Sequence, residues 1–320
     1  MHASPASPGS PRASGLPRGL VPVVQVAFTA DDQLDHAAVR RLIEDALAAG
    51  ADGFLVPAVA SEVGFLSSAE RVALVETVLD ATRSRAPVVL GISDTTPAGC
   101  LAHAHAARAL PVAAHLAAVP AALYSRETDV PAFFAEICAG LKTPLIVQDL
   151  QFDGPGLSAA TLAALLELPG IAGFKIETVP AGPKYTQVRA LAGARSWIAG
   201  GWAVPQMIEA LDRGVDALVP ECAMIRVYQS IAQRHRRGDR AGAVALFREL
   251  LPVLAFANQE IATSVAFFKR LLVRKGIFPS AAQRLPLPAW DDTSERIAQE
   301  LITHYLRLEA SLGTPGSALP

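Results

Sequence analysis

The sequence predicts a (β/α)8 barrel followed by a helical extension, and three observations carry that prediction. Short β-rich runs alternate with longer helical stretches up to about residue 236, the pattern of parallel strands joined by crossover helices. Eight such units can be counted, the number that closes a parallel sheet into a barrel. Beyond them the pattern is helical. A chain of 320 residues is long enough for one such domain. The expected division is a disordered tail over 1–16, a barrel over 17–236, a helical extension over 237–313 and a frayed end over 314–320.

In order, the strand runs are Val21 to Phe28, Gly53 to Val56, Pro87 to Ile92, Ala114 to Val119, Pro144 to Asp149, Ile171 to Lys175, Ser196 to Ala199 and Ala217 to Val219. Between the first two, Val39, Leu42, Ile43, Ala46 and Leu47 follow helical spacing, and Gly50 ends that helix. Ser158 is placed to cap a helix carrying Leu162, Leu165 and Leu166, which stops before Pro169 and Gly170. Arg234-His235-Arg236-Arg237 reads as a helix C-terminus. Three further helices are expected over Arg240 to Asn258, Glu260 to Lys275 and Asp292 to Leu312. The second places Val265, Phe268 and Leu272 on one stripe. Met1 to Leu16 is rich in Ser, Pro and Ala and has no apolar h-region, and Pro315-Gly316 opens a frayed end.

Composition excludes several functions. A net charge of -2 and a pI of about 6.4 give no footprint for nucleic acid or anionic lipid. Mean hydropathy is +0.32, yet no apolar run is long enough to span a membrane, so a soluble protein with a small-molecule partner is expected. Cys100, Cys138 and Cys222 are too few and scattered for disulfides or a metal site, which fits a reducing cytoplasm. The seven histidines form no ligand triplet, and no G-x-G-x-x-G or P-loop run suggests a nucleotide. No cofactor is expected. Lysine is confined to Lys142, Lys175, Lys184, Lys269 and Lys275, leaving few candidates for an amine nucleophile.

One of them stands out. In Ile171-Ala172-Gly173-Phe174-Lys175-Ile176-Glu177, strand alternation puts Phe174 and Ile176 on one face and Gly173, Lys175 and Glu177 on the other. The C-terminal end of a barrel strand is where such a fold carries its chemistry. An ammonium there is hard to hydrate, which favours the free amine that attacks a carbonyl. On pattern alone, the favoured reading is that Lys175 merely closes a strand end or pairs with Glu177.

The order of elements resembles the dihydrodipicolinate synthase and N-acetylneuraminate lyase family, over about Gly19 to Pro288. The residues that carry the resemblance are Ala27-Phe28 with Asp35, Ala49-Gly50-Ala51-Asp52-Gly53-Phe54, Ser61-Glu62 with Leu66-Ser67 and Glu70-Arg71, Pro87 to Gly91, Pro144-Leu145-Ile146-Val147, and Ile171 to Lys175. The resemblance implies a class I aldolase barrel with Lys175 as Schiff-base residue, no cofactor, and a homo-oligomer, tetramer or dimer.

Departures are as informative. Where the family writes glycine, two threonines, glycine and glutamate, this chain has Ala58-Val59-Ala60-Ser61-Glu62, so two hydroxyls are missing. Val59, Ala60 and Ser61 remain as candidates to hold a substrate carboxylate through backbone N–H groups and the Ser61 hydroxyl. Glu62 is expected to orient that pocket or to cap the next helix. The family's tyrosine after the fifth strand is replaced by Gln148, whose amide cannot shuttle a proton at neutral pH. The arginine of the lysine-pathway enzymes is absent, with Asp153 near its place, which argues against dihydrodipicolinate synthesis itself.

What remains is similar to the branch of 2-keto-3-deoxy-aldonate dehydratases and aldolases: Gln148-Asp149, Lys175-Ile176-Glu177 with Pro180 and Pro183 beyond, Gly200-Gly201-Trp202, and Leu250-Leu251-Pro252 through Gln259 to Arg274-Lys275-Gly276. The expected activity is a Schiff-base lyase on a 2-oxo acid. The alternative is a catalytically silent barrel that binds such an acid. Glu177 is the candidate base, about 6 to 7 Å along the strand from Lys175. Gln148 would hold a substrate hydroxyl, and Tyr124 would bring a phenol from the fourth loop. Asp149 is expected to cap the loop that follows, and Gly200 and Gly201 to let backbone approach ligand.

Overall fold

Alternation of buried strands with one-sided helices, which the sequence predicts, is what the chain builds. The computed structural model describes residues 15–202 and 204–313. The expected tail up to residue 14 and the end segment 314–320 lie outside them. In chain order the elements are β1 (Gly19–Leu20), α1 (His36–Ala48), β2 (Phe54–Val56), α2 (Ser68–Thr82), β3 (Val88–Gly91), α3 (Pro97–Ala106), β4 (Ala114–Ala118), α4 (Val130–Gly140) and β5 (Leu145–Gln151). There follow α5 (Ala159–Leu166), β6 (Ile171–Thr178), α6 (Ala181–Ala192), β7 (Trp197–Gly200), α7 (Met207–Asp212), β8 (Ala217–Leu218), α8 (Ile225–Arg236), α9 (Arg240–Ala257), α10 (Ile261–Arg274) and α11 (Asp292–Ser311).

The strands form one curled parallel sheet in the order β1-β8-β7-β6-β5-β4-β3-β2, consistent with a (β/α)8 barrel. The ladder does not close between β1 and β2, where a closed ring was expected. One parallel bridge, Val23 to Leu55, spans that seam, with Leu55 N donating to Pro22 O at 2.9 Å and Val24 N to Leu55 O at 3.0 Å. The first strand was expected over Val21 to Phe28, but the ladder holds only Gly19–Leu20. Beyond Leu20 the pairing with β8 continues only as single contacts, Val21 N donating to Leu218 O at 2.9 Å and Val23 N to Pro220 O at 2.8 Å. Pro22, whose carbonyl faces Leu55, lacks the N–H that would add a bond across the β2 seam.

Period-2 alternation sorts the strand residues into two cores. Val21, Val23, Val89, Leu116, Ile146 and Val219 meet inside the sheet. Their neighbours Phe54, Val147, Phe174, Ile176 and Leu218 face outward against Leu42, Val78, Leu165 and Val188 of the helices. Leu16, the last residue of the expected tail, is buried in the interior core, and Pro17 O accepts from Trp197 Nε1 at 2.8 Å. Packing against Trp197 ties this end of the chain down.

Helix starts follow their caps. Asp35 accepts from Ala38 N at 2.9 Å, Ser67 and Glu70 form a capping box, and Ser158 accepts from Thr161 N at 3.3 Å. Helix α8 ends at Arg236, within the basic run. The stripe Val265, Phe268 and Leu272 of α10 is buried. Part of it covers the mouth of the sheet, where Ile261, Ser264, Val265 and Phe268 wall a cavity.

Candidate active site

The cavity lies over the C-terminal ends of β5, β6 and β8 and is mostly apolar. Lys175 sits in register with Gln148 on β5 and Ala199 on β7, so all three share the inner face. Two residues on, Glu177 returns to that face by alternation. Lys175 Nζ lies 2.6 Å from Glu177 Oε2, and Gln148 Nε2 donates to the same oxygen. Glu177 Oε1 accepts the backbone N–H of Trp202 at 2.7 Å. Lys175, Gln148 and Glu177 are 3, 3 and 8 % exposed. The carboxylate therefore supplies the counter-charge that water cannot reach to supply.

Gly201 makes this contact possible. A Cβ there would fall 2.2 Å from Glu177 Oε1 and 2.8 Å from Lys175 Cε. At Gly200 a Cβ would meet Tyr185 Oη at 2.5 Å. Both glycines were expected to give ligand access to backbone. Both make room for protein side chains, and Gly201 also lines an adjoining cavity with Glu177, Trp202 and Phe152. Trp202 adopts φ 58°, a left-handed conformation that costs a bulky residue about 1 kcal/mol or more. It is held by the bond to Glu177 and by Asn258 Nδ2, which donates to its carbonyl at 3.2 Å. Its ring packs on Phe152 with centroids 4.3 Å apart.

Of the other predicted residues, Val59 and Ala60 line the cavity. Ser61 does not: its hydroxyl donates to Val24 O at 2.5 Å and accepts from Ala58 N at 3.1 Å. Glu62 neither lines the cavity nor caps a helix through its side chain. Its carboxylate is ion-paired with Lys269 and accepts Arg284 N and Leu285 N, each at 2.7 Å. Tyr124 does not line the cavity either, and its hydroxyl donates to Asp149 Oδ1 at 3.0 Å. Burial and that carboxylate push the phenol well above its ordinary range. Asp149 caps its following loop as expected, accepting Leu157 N at 3.1 Å, and also faces Lys184 at 3.7 Å. Burial pushes the Asp149 carboxyl up and the Lys184 amine down.

Comparison with known proteins identifies the family. The model of the dihydrodipicolinate synthetase family matches residues 16–304. The chain belongs to that family. An L-2-keto-3-deoxyarabonate dehydratase of Azospirillum brasilense is 29% identical over 278 residues, 85% of this chain and 89% of the relative. A 4-hydroxy-tetrahydrodipicolinate synthase of Moorella thermoacetica is 29% identical over 281 residues, 86% of this chain and 94% of the relative. Among solved structures, the sialic acid aldolase of Ruminococcus gnavus has the same fold, with a TM-score of 0.82 at 18% identity over 92% of this chain and 98% of that one. Among the described residues no helix is long and apolar enough to cross a membrane, and no three His, Cys, Asp or Glu side chains gather to hold a metal ion.

Within this dihydrodipicolinate synthetase family member, sequence reading missed Phe152, whose ring contact with Trp202 exists only in the folded chain. It also missed Glu221, a buried acid that lines the cavity. That one had a signal. Ala217, Val219 and Glu221 stand two apart, so the alternation that singled out Lys175 also turns Glu221 inward.

Proposed function

We propose that this protein is a Schiff-base lyase of a 2-keto-3-deoxy sugar acid, working as a dehydratase. The observation that carries the reading is the buried contact of Lys175 with Glu177 inside the cavity. Of the five lysines, Lys184, Lys269 and Lys275 are held by carboxylates away from this cavity, and Lys142 precedes β5, at the opposite end of the sheet.

Glu177 takes a proton from the Lys175 ammonium, and the free amine attacks the C2 carbonyl. Loss of water from the carbinolamine leaves an iminium, an electron sink beside C3. Once its proton has left with the carbinolamine hydroxyl, Glu177 takes a C3 proton, which leaves an enamine. Its electrons then form a C3–C4 double bond as the C4 hydroxyl departs, protonated, as water. Hydrolysis of the remaining iminium frees Lys175. Gln148 pins Glu177 in place, and the Ala58–Ala60 turn offers backbone N–H groups to the substrate carboxylate. The similarity to the Azospirillum dehydratase supports water loss over carbon–carbon cleavage.

Borohydride trapping tests the reading. Incubation with pyruvate or L-2-keto-3-deoxyarabonate, then reduction, should leave one covalent adduct on Lys175 by mass spectrometry. No adduct with any of a panel of 2-oxo acids would replace the enzyme with a binding-only barrel, a reading that the missing threonine hydroxyls and the engagement of the Tyr124 hydroxyl by Asp149 favour. A second prediction concerns Gly201→Ala. Displacing the Glu177 carboxylate by about 1 Å should slow adduct formation about 100-fold. Stopped trapping assays beside a thermal melt measure this, and an unchanged rate would mean that the close approach at Gly201 is incidental.

A further inference from the structure

Glu221 is the one carboxyl of the cavity that the mechanism leaves unused. It follows β8 on the inner face, is 4 % exposed and lines the same cavity as Lys175. Tyr228 Oη donates to its Oε2 at 3.3 Å, whereas Oε1 meets no hydrogen-bond partner among the described residues. A buried oxygen without a partner costs about 1 to 3 kcal/mol, more if charged, so its place beside a ligand cavity asks for an explanation.

The surroundings favour the neutral acid. Tyr228 on α8, Cys222 beside it and Tyr305 on α11 are uncharged neighbours, whereas Lys275 beyond α10 is taken up by Glu309 at 3.0 Å and Asp45 at 3.3 Å. Burial pushes the Glu221 carboxyl up to about 8, against the smaller pull of backbone N–H groups and the Tyr228 hydroxyl. Lys175 and Glu177, the charged pair of the same cavity, neutralise each other. With Oε2 accepting from the phenol, the acid's own proton belongs on Oε1. A carboxylate only accepts, but a carboxylic acid also donates.

The remaining lining narrows what it could meet. Gln148, Lys175 and Glu177 are bonded to one another, and Val23, Leu150, Val265 and Phe268 are apolar. Among the described lining side chains, Glu221, Ser264, the Trp202 indole N–H and the Gln148 amide oxygen are left to meet polar groups on the substrate chain, and Glu221 is the one acid of that set. We propose that Glu221, as a neutral carboxyl, donates from Oε1 to a hydroxyl of a 2-keto-3-deoxy sugar acid and selects such substrates over unsubstituted 2-oxo acids. The proposal rests on the reading above for its substrate class.

The test uses the full chain with Lys175→Arg in every affinity sample, because the unmodified chain would turn over L-2-keto-3-deoxyarabonate during the titration, and reads the dissociation constant of that acid by calorimetry. Glu221→Leu should weaken binding about 10- to 100-fold. Glu221→Gln, whose amide also donates, should restore it to within about threefold. With Glu221 intact, affinity should fall as pH rises through about 8, where the acid ionises, and Glu221→Gln should lose that limb. Undiminished affinity in the leucine variant, leucine-like weakness in the glutamine variant, or an unchanged pH limb in the latter would each overturn the proposal. If Glu221→Leu does not fold by circular dichroism, the pH comparison of the chain keeping Glu221 with Glu221→Gln decides alone. Pyruvate trapping of the wild type reports on Lys175 separately. A trapped adduct with a failed Glu221 test leaves the Schiff-base reading standing.

Discussion

Lys175→Arg should form no borohydride-trapped adduct and should turn over 2-keto-3-deoxy acids at least about a thousandfold more slowly. Arginine keeps the positive charge that Glu177 faces, so the buried pair is not left half-charged. It does not deprotonate in a protein and cannot become an imine-forming amine. Removing the nucleophile while retaining the counter-ion separates chemistry from stability. No other lysine is placed to replace it, since Lys184, Lys269 and Lys275 are engaged elsewhere. Trapping, steady-state rates and a thermal melt of the same preparation measure the outcome. Wild-type turnover in Lys175→Arg would make Lys175 a structural residue and end the Schiff-base account.

Lys269→Met should destabilise the fold by about 3–5 kcal/mol, because it leaves the Glu62 carboxylate buried without its cation. Both side chains are 0 % exposed. Lys269 also donates to Ala282 O at 2.7 Å and stands 4.7 Å from the centre of the Phe28 ring, while the Arg284 guanidinium lies over that ring at 4.4 Å. Arg284 in turn pairs with Glu70 at 2.7 Å and Asp32 at 2.9 Å. Two loops of the sheet's mouth are thus tied to α10 and the segment after it. The cavity wall at Ile261, Ser264, Val265 and Phe268 is carried by that same helix. Urea unfolding gives the stability change. Glu62→Leu added to Lys269→Met should recover part of the loss, since a buried pair replaced by apolar groups costs less than one broken in half. A loss below about 1 kcal/mol in the single variant would mean that water reaches Glu62.

The residues in contact with one another on β6 were legible because they are neighbours in the chain. Strand alternation alone puts Lys175 and Glu177 on one face, and the structure joins them at 2.6 Å. Gln148 was legible through the family resemblance, and register places it beside Lys175. The partners of Glu62 were not legible, for the opposite reason. Lys269, Arg284 and Leu285 lie far along the chain, and no local pattern announces them. Tyr124 was placed in the site by its loop, but Asp149 offers its hydroxyl an acceptor elsewhere.

By itself the sequence determined the alternation of strands and helices, most element positions, and which faces are apolar. Spacing, caps and turn residues act over a few positions and need no knowledge of the rest of the chain. Only the tertiary structure decided that the ladder stops at the β1–β2 seam, that Gly201 leaves room for the Glu177 carboxylate, and that Glu221 keeps one oxygen unpartnered among the described residues. Those facts depend on distances between segments remote in sequence, and packing sets such distances only once the whole core has closed around them.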